Sequence, residues 1–341
     1  MGRTLSYCAT TKDAGMRLDA LAADKGFYSS RSTAARYIEN NRVFVNGKNV
    51  AKKYMLVADD FIVYDEEDAP TKAIIQGQPI DLDVRYEDEY LLVLSKQAGL
   101  VCHPSIDHLN NTLVNALIYH CGIENLCNIQ GEEDRLGIVH RLDMDTTGLM
   151  LAAKTDEVGL SLMEAIRDRA VDRRYLALVQ GYIAHDSGMI DAPITRSLSE
   201  RTRMVVRDSE KARDSITTFR VLERFEAGAK DDGFSLVECK LLTGRTHQIR
   251  VHMQYIKHAC VGDPVYKGGT PQAQLGLSRQ FLHSYLIDFS HPITQERLRF
   301  VDRLPADLQE ALDGLSSKTL GRTKAGDEVF SEIDSSVSAR L

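Results

Sequence analysis

The rhythm of apolar and polar positions along this chain changes several times, and each change predicts an element. Leu18, Leu21 and Ala22 follow i, i+3, i+4 spacing and predict a short helix over 16–24. Ser29 and Ser30 precede a second helix over 30–40, with Ala34, Tyr37 and Ile38 on its apolar side. Val43-Phe44-Val45-Asn46-Gly47-Lys48 reads as a strand that ends in a tight Asn-Gly hairpin turn, and 61–64 as a further strand. Together these predict a compact helix–helix–hairpin unit over 16–68. The run Asp65-Glu66-Glu67-Asp68-Ala69-Pro70 is polar, ends in proline, and predicts a flexible linker and a domain boundary.

A second domain is expected over 80–312. Leu91-Leu92-Val93-Leu94 has the continuous apolar character of a buried strand, and 111–120 reads as a helix. Residues 138–140 and 149–153 read as strands on either side of a polar turn. An amphipathic helix follows over 156–169, with Leu160, Met163 and Ile166 as core packing. Strands are expected at 175–179, 217–221, 235–241, 281–289 and 298–301, with helices at 247–258 and 304–315. Beyond Ser316 the sequence turns to Ser, Lys, Asp and Gly without evident period, which predicts a disordered tail over 316–341.

Composition changes this picture little. The 341 residues, 43% hydrophobic and 27% charged, suit about two globular domains. The longest apolar runs fall far short of the ~20 residues a membrane helix needs, so no membrane association is expected. The first residues carry no long apolar stretch of the secretory type. The six cysteines are dispersed, with no C-x-x-C pair, as in proteins of a reducing compartment. A cytoplasmic location is expected.

Charge is more informative in its distribution than in its sum. A net charge of −7 argues mildly against a nucleic-acid partner. Yet residues 17–64 carry eight basic against five acidic side chains. A second basic cluster, Arg196, Arg201, Arg203, Arg207, Lys211 and Arg213, is opposed by Glu200, Asp208 and Glu210.

The chemistry concentrates in Gly137-Ile138-Val139-His140-Arg141-Leu142-Asp143-Met144-Asp145-Thr146-Thr147-Gly148-Leu149. A carboxylate near an arginine, in a glycine-ended turn between apolar segments, is held at a sheet edge. Taken bare, such a turn is more often structural, with an incidental ion pair. Its surroundings decide otherwise. His140-Arg141-Leu142-Asp143-x-x-Thr146-Thr147-Gly148 resembles the signature of the RluA-type pseudouridine synthases. Three further segments resemble that family's motifs in order: 94–104, Arg173-Arg174-Tyr175-Leu176-Ala177-Leu178-Val179, and Leu242-Thr243-Gly244-Arg245-Thr246-His247-Gln248-Ile249-Arg250-Val251-His252, the last followed by Gly262-Asp263-Pro264-Val265-Tyr266. The resemblance covers roughly 80–312 and departs at Met144, where the family often has lysine.

What the resemblance implies is specific. The fold would be α/β (α+β), with a mixed, largely antiparallel sheet crossed by a central cleft. Uridine would be isomerised to pseudouridine by breaking N1–C1′ and forming C5–C1′, which needs no cofactor and no metal. Asp143 would be the catalytic carboxylate, either as nucleophile or as base; the sequence leaves both open. Arg245 would pair with it and Tyr175 would stack on the uracil. His140, Arg141, Leu142, Thr147, Gly148 and Leu242 would support the site. His140 would orient the turn rather than act as a base, and Asp145 is expected exposed. His247 and His252 are five apart, which is not the spacing of a helical zinc pair.

The N-terminal unit has its own resemblance, to the αL RNA-binding module named after a small-subunit ribosomal protein, carried by Arg17-Leu18-Asp19, Ser29-x-Arg31-Ser32 and Val43-x-Val45-Asn46-Gly47-Lys48. Arg17, Ser29, Arg31 and Lys48 there, and Arg201, Arg203 and Arg207 in the basic cluster, would contact RNA. The two modules in this order are those of the RluC and RluD branch, which implies large-subunit ribosomal RNA as partner and a monomeric protein. Two rival readings make different demands on the sequence. A methyltransferase should carry a glycine-rich strand–turn–helix cofactor loop, and the adjacent pair Gly268-Gly269 lies far from such a context. A noncatalytic ribosome-assembly factor would not need Asp143, Tyr175 and Arg245 together.

Overall fold

In the computed structural model the chain divides into two compact units, Met1–Ile74 and Ile75–Leu341. The residues described are 3–66, 75–104, 110–129, 135–200, 202–229, 231–267 and 274–338. Part of the expected linker, from Glu67 to Pro70, and Arg201 of the basic cluster lie outside them.

The first unit contains β1 (Thr4–Cys8), α1 (Leu18–Asp24), α2 (Arg31–Glu39), β2 (Val43–Val45), β3 (Lys48–Asn49) and β4 (Phe61–Asp65). Its four strands form an antiparallel sheet in the order β1-β4-β2-β3. Ser30 starts α2 by accepting a hydrogen bond from the Thr33 N–H at 3.1 Å. Asn46 and Gly47 both take positive φ, 50° and 73°, the backbone a two-residue hairpin turn of this twist requires. Leu18, Leu21, Ala34, Ile38, Val43, Val45 and Ile62 close the core against Tyr28, Tyr37 and Tyr64. The strand β1 was not expected from the sequence, because its five residues alternate only between exposed and half-buried.

The second unit contains β5 (Asp83–Glu87), β6 (Leu91–Lys96), α3 (Leu113–Cys121), β7 (Thr147–Ala153), α4 (Asp156–Arg167), β8 (Asp172–Gln180), β9 (Ser187–Asp191), β10 (Ile194–Arg196), β11 (Met204–Val206), β12 (Ile216–Phe225), β13 (Phe234–Leu241), α5 (Gln248–Tyr255), β14 (Leu282–Ser290), β15 (Arg297–Val301), α6 (Ala306–Asp313), β16 (Thr319–Arg322) and α7 (Lys324–Ser338). A ten-stranded sheet runs β16-β12-β13-β8-β14-β7-β6-β5, with β15 added on β14 and β9 on β12. Among the described pairings of its named strands, β14 with β7 is parallel and the rest antiparallel. The central strands are covered on both faces; all seven residues of β7 are buried. That explains their continuous apolar runs. β10 and β11 form a separate two-stranded hairpin.

Several expectations need correction. Residues 138–140 are not a strand: Ile138 makes one isolated bridge to Ala152 and the chain then bends into the turn. Leu160 is exposed, because α4 docks on the sheet through Val158 and Leu162, with Met163 and Ile166 packed only in part. The tail expected to be disordered folds. β16 pairs with β12, and α7 buries Val329 and Ile333 in the same cluster as Leu222 and Phe225. Gly326 lets the helix approach: a Cβ there would lie 2.2 Å from the Leu222 carbonyl oxygen. Ala325, Val329 and Ile333 follow a four-residue helical spacing that the intervening Ser, Asp and Gly obscure.

Candidate active site

The polar turn between Gly137 and Thr147 is fixed by side chains from three other segments. Cys102 donates its thiol to the Leu142 carbonyl at 3.1 Å. Lys96, at the end of β6 and fully buried, donates to the Met144 carbonyl at 2.8 Å as well as to those of Gln97 and Leu100. Arg279 donates to the Asp145 carbonyl at 3.1 Å. Within the turn the Thr146 N–H donates to the Asp143 carbonyl at 3.1 Å. These bonds hold the backbone on both sides of Asp143.

Gly148 ends the turn where β7 meets β14. Its φ is +109°, and a Cβ would lie 2.2 Å from the Ser284 carbonyl oxygen, so no other residue fits without moving a strand. Thr147 hydrogen-bonds His283 Nδ1 at 2.9 Å, and His140 Nε2 accepts from the Leu151 N–H at 2.9 Å. Burial pushes His140 down to about 3, so it is a neutral acceptor that clasps β7 and cannot serve as a base near neutral pH.

The carboxylate's ionic partner is not the one the sequence suggested. Arg250, in the first turn of α5, donates Nη1 to Asp143 Oδ2 at 3.0 Å. Its remaining donors form a fork with Asp263, Nε to Oδ2 at 2.7 Å and Nη2 to Oδ1 at 2.9 Å. Burial would lower the Arg250 pKa, but hydrogen bonding and charge from Asp263, with charge from Asp143, raise it further, so it is a permanent cation. Arg245 instead sends Nε to the Asp214 carbonyl at 3.1 Å. The correction has a simple cause. Arg245 lies in the loop ahead of α5, whereas the helix start turns Arg250 inward. The same motif holds both arginines, and spacing alone does not say which reaches the carboxylate.

Asp143, Tyr175, His140, Arg141, Leu242 and Arg245 nevertheless share one cleft of about 460 Å³, walled by Met163 and Ile166 of α4. Tyr175, on β8, is buried, and burial raises its pKa, so its hydroxyl stays protonated. Arg141, Arg167, Arg169, Arg173 and Arg245 line the same cleft. Arg167 is paired with Asp168 and Glu164, and the other four bring positive charge to the cleft despite the negative net charge. Leu242 contributes its carbonyl, which accepts from Arg169 Nε at 3.1 Å, and Leu142 is buried behind Asp143. Asp145, expected exposed, is half-buried.

His247, whose spacing from His252 speaks only against a zinc pair, and Tyr266 take parts at the site that the sequence did not suggest. His247, the residue before α5, takes a left-handed φ of 56° and faces Asp143 Oδ1 with Nε2 at 4.0 Å. Its Nδ1 meets the Tyr266 hydroxyl at 2.8 Å. Both stood in the quoted motifs, but only the αL backbone step aims the imidazole at the carboxylate. His252 is engaged through both ring nitrogens, with Thr217 and with the Ala192 carbonyl, at 2.9 Å each.

The basic cluster lines a groove of about 910 Å³ formed by the β10–β11 hairpin and neighbouring segments, with Arg196, Arg207, Lys211 and Arg213 on its walls. Gly244, Arg245 and Thr246 line both this groove and the cleft around Asp143. Arg203 departs from the group, with its guanidinium 5.7 Å from the centre of the Tyr266 ring. In the first unit, Arg17 and Arg31 converge on the buried Asp19, at 2.6 and 3.3 Å. Ser29 and Lys48 are exposed. No helix among the described residues is long and apolar enough to cross a membrane.

Comparison with known proteins places this geometry. Residues 90–255 match the RNA pseudouridylate synthase family and residues 16–62 the S4 domain. The uncharacterized RNA pseudouridine synthase YlyB of Bacillus subtilis is 39% identical over 311 residues, 91% of this chain and 98% of that protein. Ribosomal large subunit pseudouridine synthase D of Pseudomonas aeruginosa is 40% identical over 303 residues, 86% of this chain and 90% of its own. Among solved structures, human RNA pseudouridylate synthase domain containing 1 superposes with a TM-score of 0.56 at 25% identity, over 76% of this chain and 96% of that one. At the identity it shares with the Bacillus subtilis protein, over nearly the whole length of both chains, the chain belongs to the RNA pseudouridine synthase family, with an S4 domain ahead of its catalytic domain.

Proposed function

We propose that the protein isomerises uridines of large-subunit ribosomal RNA to pseudouridine, with Asp143 as the catalytic carboxylate. The observation that carries this is the Asp143–Arg250 contact at 3.0 Å on a turn with no slack, in the cleft that also holds Tyr175. Arg250 holds Asp143 Oδ2 and so fixes which oxygen is turned away from it. An ionised carboxylate is what either route requires, whether it attacks the nucleotide or removes a proton from C2′. Tyr175, kept protonated and buried, supplies a flat ring for the uracil to stack on while it turns from N1 to C5. The glycosidic bond that breaks is replaced by one that forms, so no atom enters or leaves.

The target must leave its stack to reach this depth. The arginines of the cleft and the groove beside the β10–β11 hairpin suit the phosphates on either side of an extruded nucleotide. Arg17, Ser29, Arg31 and Lys48 of the S4 domain would grip the backbone without reading bases. The names of relatives such as the Pseudomonas aeruginosa enzyme support ribosomal RNA as the substrate. We take the working form to be a cytoplasmic monomer.

The test is Asp143→Asn. The variant should bind ribosomal RNA as the wild type does and release no tritium from 5-tritiated uridine. Unchanged release would remove Asp143 from the chemistry. Pseudouridine mapping in cells lacking the protein identifies the uridine, and loss of no large-subunit position would exclude that substrate.

A further inference from the structure

The tautomer of His247 can be read from its surroundings. The Tyr266 side chain is fully buried, and its hydroxyl oxygen accepts the Met204 N–H at 3.0 Å. The hydroxyl proton then needs an acceptor, and His247 Nδ1 lies 2.8 Å away. A buried O–H left without a partner costs about 1–3 kcal/mol, so Nδ1 accepts and the ring proton sits on Nε2. Burial lowers the His247 pKa, which keeps the ring neutral near pH 7. The ring nitrogen nearest Asp143 Oδ1, the oxygen opposite the one Arg250 holds, therefore carries the proton.

The separation of 4.0 Å is too long for a direct hydrogen bond. A hydroxyl set to one side of the line between the two atoms reaches both. An oxygen about 2.8 Å from each end spans such a gap, accepting from Nε2–H and donating to the carboxylate. The group must be donor and acceptor at once, and it must lie beside the carbon on which Asp143 acts. In an RNA target one group meets both conditions, the hydroxyl on C2′, next to the reacting C1′ and absent from DNA.

We propose that His247, oriented by Tyr266, seats the 2′-hydroxyl of the target ribose against Asp143 Oδ1 and is the residue by which this active site requires RNA. The inference rests on the reading of Asp143 given above and assigns a substrate group to the space beside it. The Met204 N–H that completes the array belongs to β11, so the basic hairpin and the seat of the hydroxyl share one hydrogen-bonded chain.

The test uses the full-length protein and a synthetic stem-loop of large-subunit ribosomal RNA containing the mapped uridine, made with ribose or 2′-deoxyribose at that position alone. Single-turnover rates of pseudouridine formation give a ribose-to-deoxyribose ratio for each enzyme. Deoxyribose should slow the wild type, and equal rates on the two substrates would overturn the proposal with no variant needed. His247→Phe removes the donor and should shrink the ratio about tenfold, the worth of one hydrogen bond. His247→Gln, whose amide N–H reaches about as far as Nε2, should keep most of it. Tyr266→Phe removes the proton that fixes the tautomer and should lie between. A ratio unchanged in both His247→Phe and Tyr266→Phe sinks the assignment. Turnover by Asp143→Asn would instead sink the reading it rests on.

Discussion

Replacing Arg250 with methionine separates the two arginines that compete for the part of partner to the Asp143 carboxylate. The substitution keeps most of the side-chain volume and removes the fork. Asp263, whose side chain is fully buried, loses two hydrogen bonds and keeps those from the Val265 and Tyr266 N–H groups, both 2.9 Å. Removing one member of a buried ion pair costs about 3–5 kcal/mol, because the other charge is left uncompensated. At about 2–4 °C per kcal/mol for a unit of this size, the melting temperature should fall by roughly 10 °C. Asp143 also loses a charge-assisted hydrogen bond worth about 1.5–3 kcal/mol, so kcat should fall about 10- to 100-fold at temperatures where the variant is folded. Arg245→Met is the counterpart. Its partner is the carbonyl of an exposed residue, so stability should move by no more than about 0.5 kcal/mol. Its place at the junction of cleft and groove puts the loss in KM and in salt dependence. Thermal melts and steady-state tritium release on both variants decide it. A stable, active Arg250→Met beside an inactive Arg245→Met would refute the assignment of the pair.

Acid should destabilise the fold through its buried histidines. His140 and His283 are held down to about 3 and about 4 by burial, against 6.5 in an unfolded chain. Between those values the unfolded state binds the extra proton, so stability is complete above pH 6.5 and falls below it, by about 2 kcal/mol for each histidine at pH 5. His247 and His252, also lowered by burial, act in the same direction. Urea unfolding at pH 7.5 and pH 5 measures the slope, and equal midpoints would contradict it. Ending the chain before Lys324 should uncover the surface that Val329 and Ile333 cover, at about 1.5–3 kcal/mol for each side chain. The truncated protein should melt lower and bind an apolar dye; a melt unchanged from the full chain would mean that α7 adds nothing to the core.

Much of this protein could be read from its residues because the information was local. Helix periods, the serine cap of α2, the Asn-Gly hairpin and the turn around Asp143 are properties of neighbours in sequence. Gly148 stood in that motif, but its necessity is a matter of β14 lying against it. The choice between Arg245 and Arg250 depended on where α5 begins, and the aim of His247 on one left-handed residue; neither leaves a mark in spacing. α7 was missed because its apolar residues are sparse and become a stripe only against β12. Local residue patterns named the groups able to do chemistry and the elements that carry them. Which guanidinium meets the Asp143 carboxylate, and which imidazole lies beside it, was settled by three-dimensional packing, because those contacts join segments about a hundred residues apart.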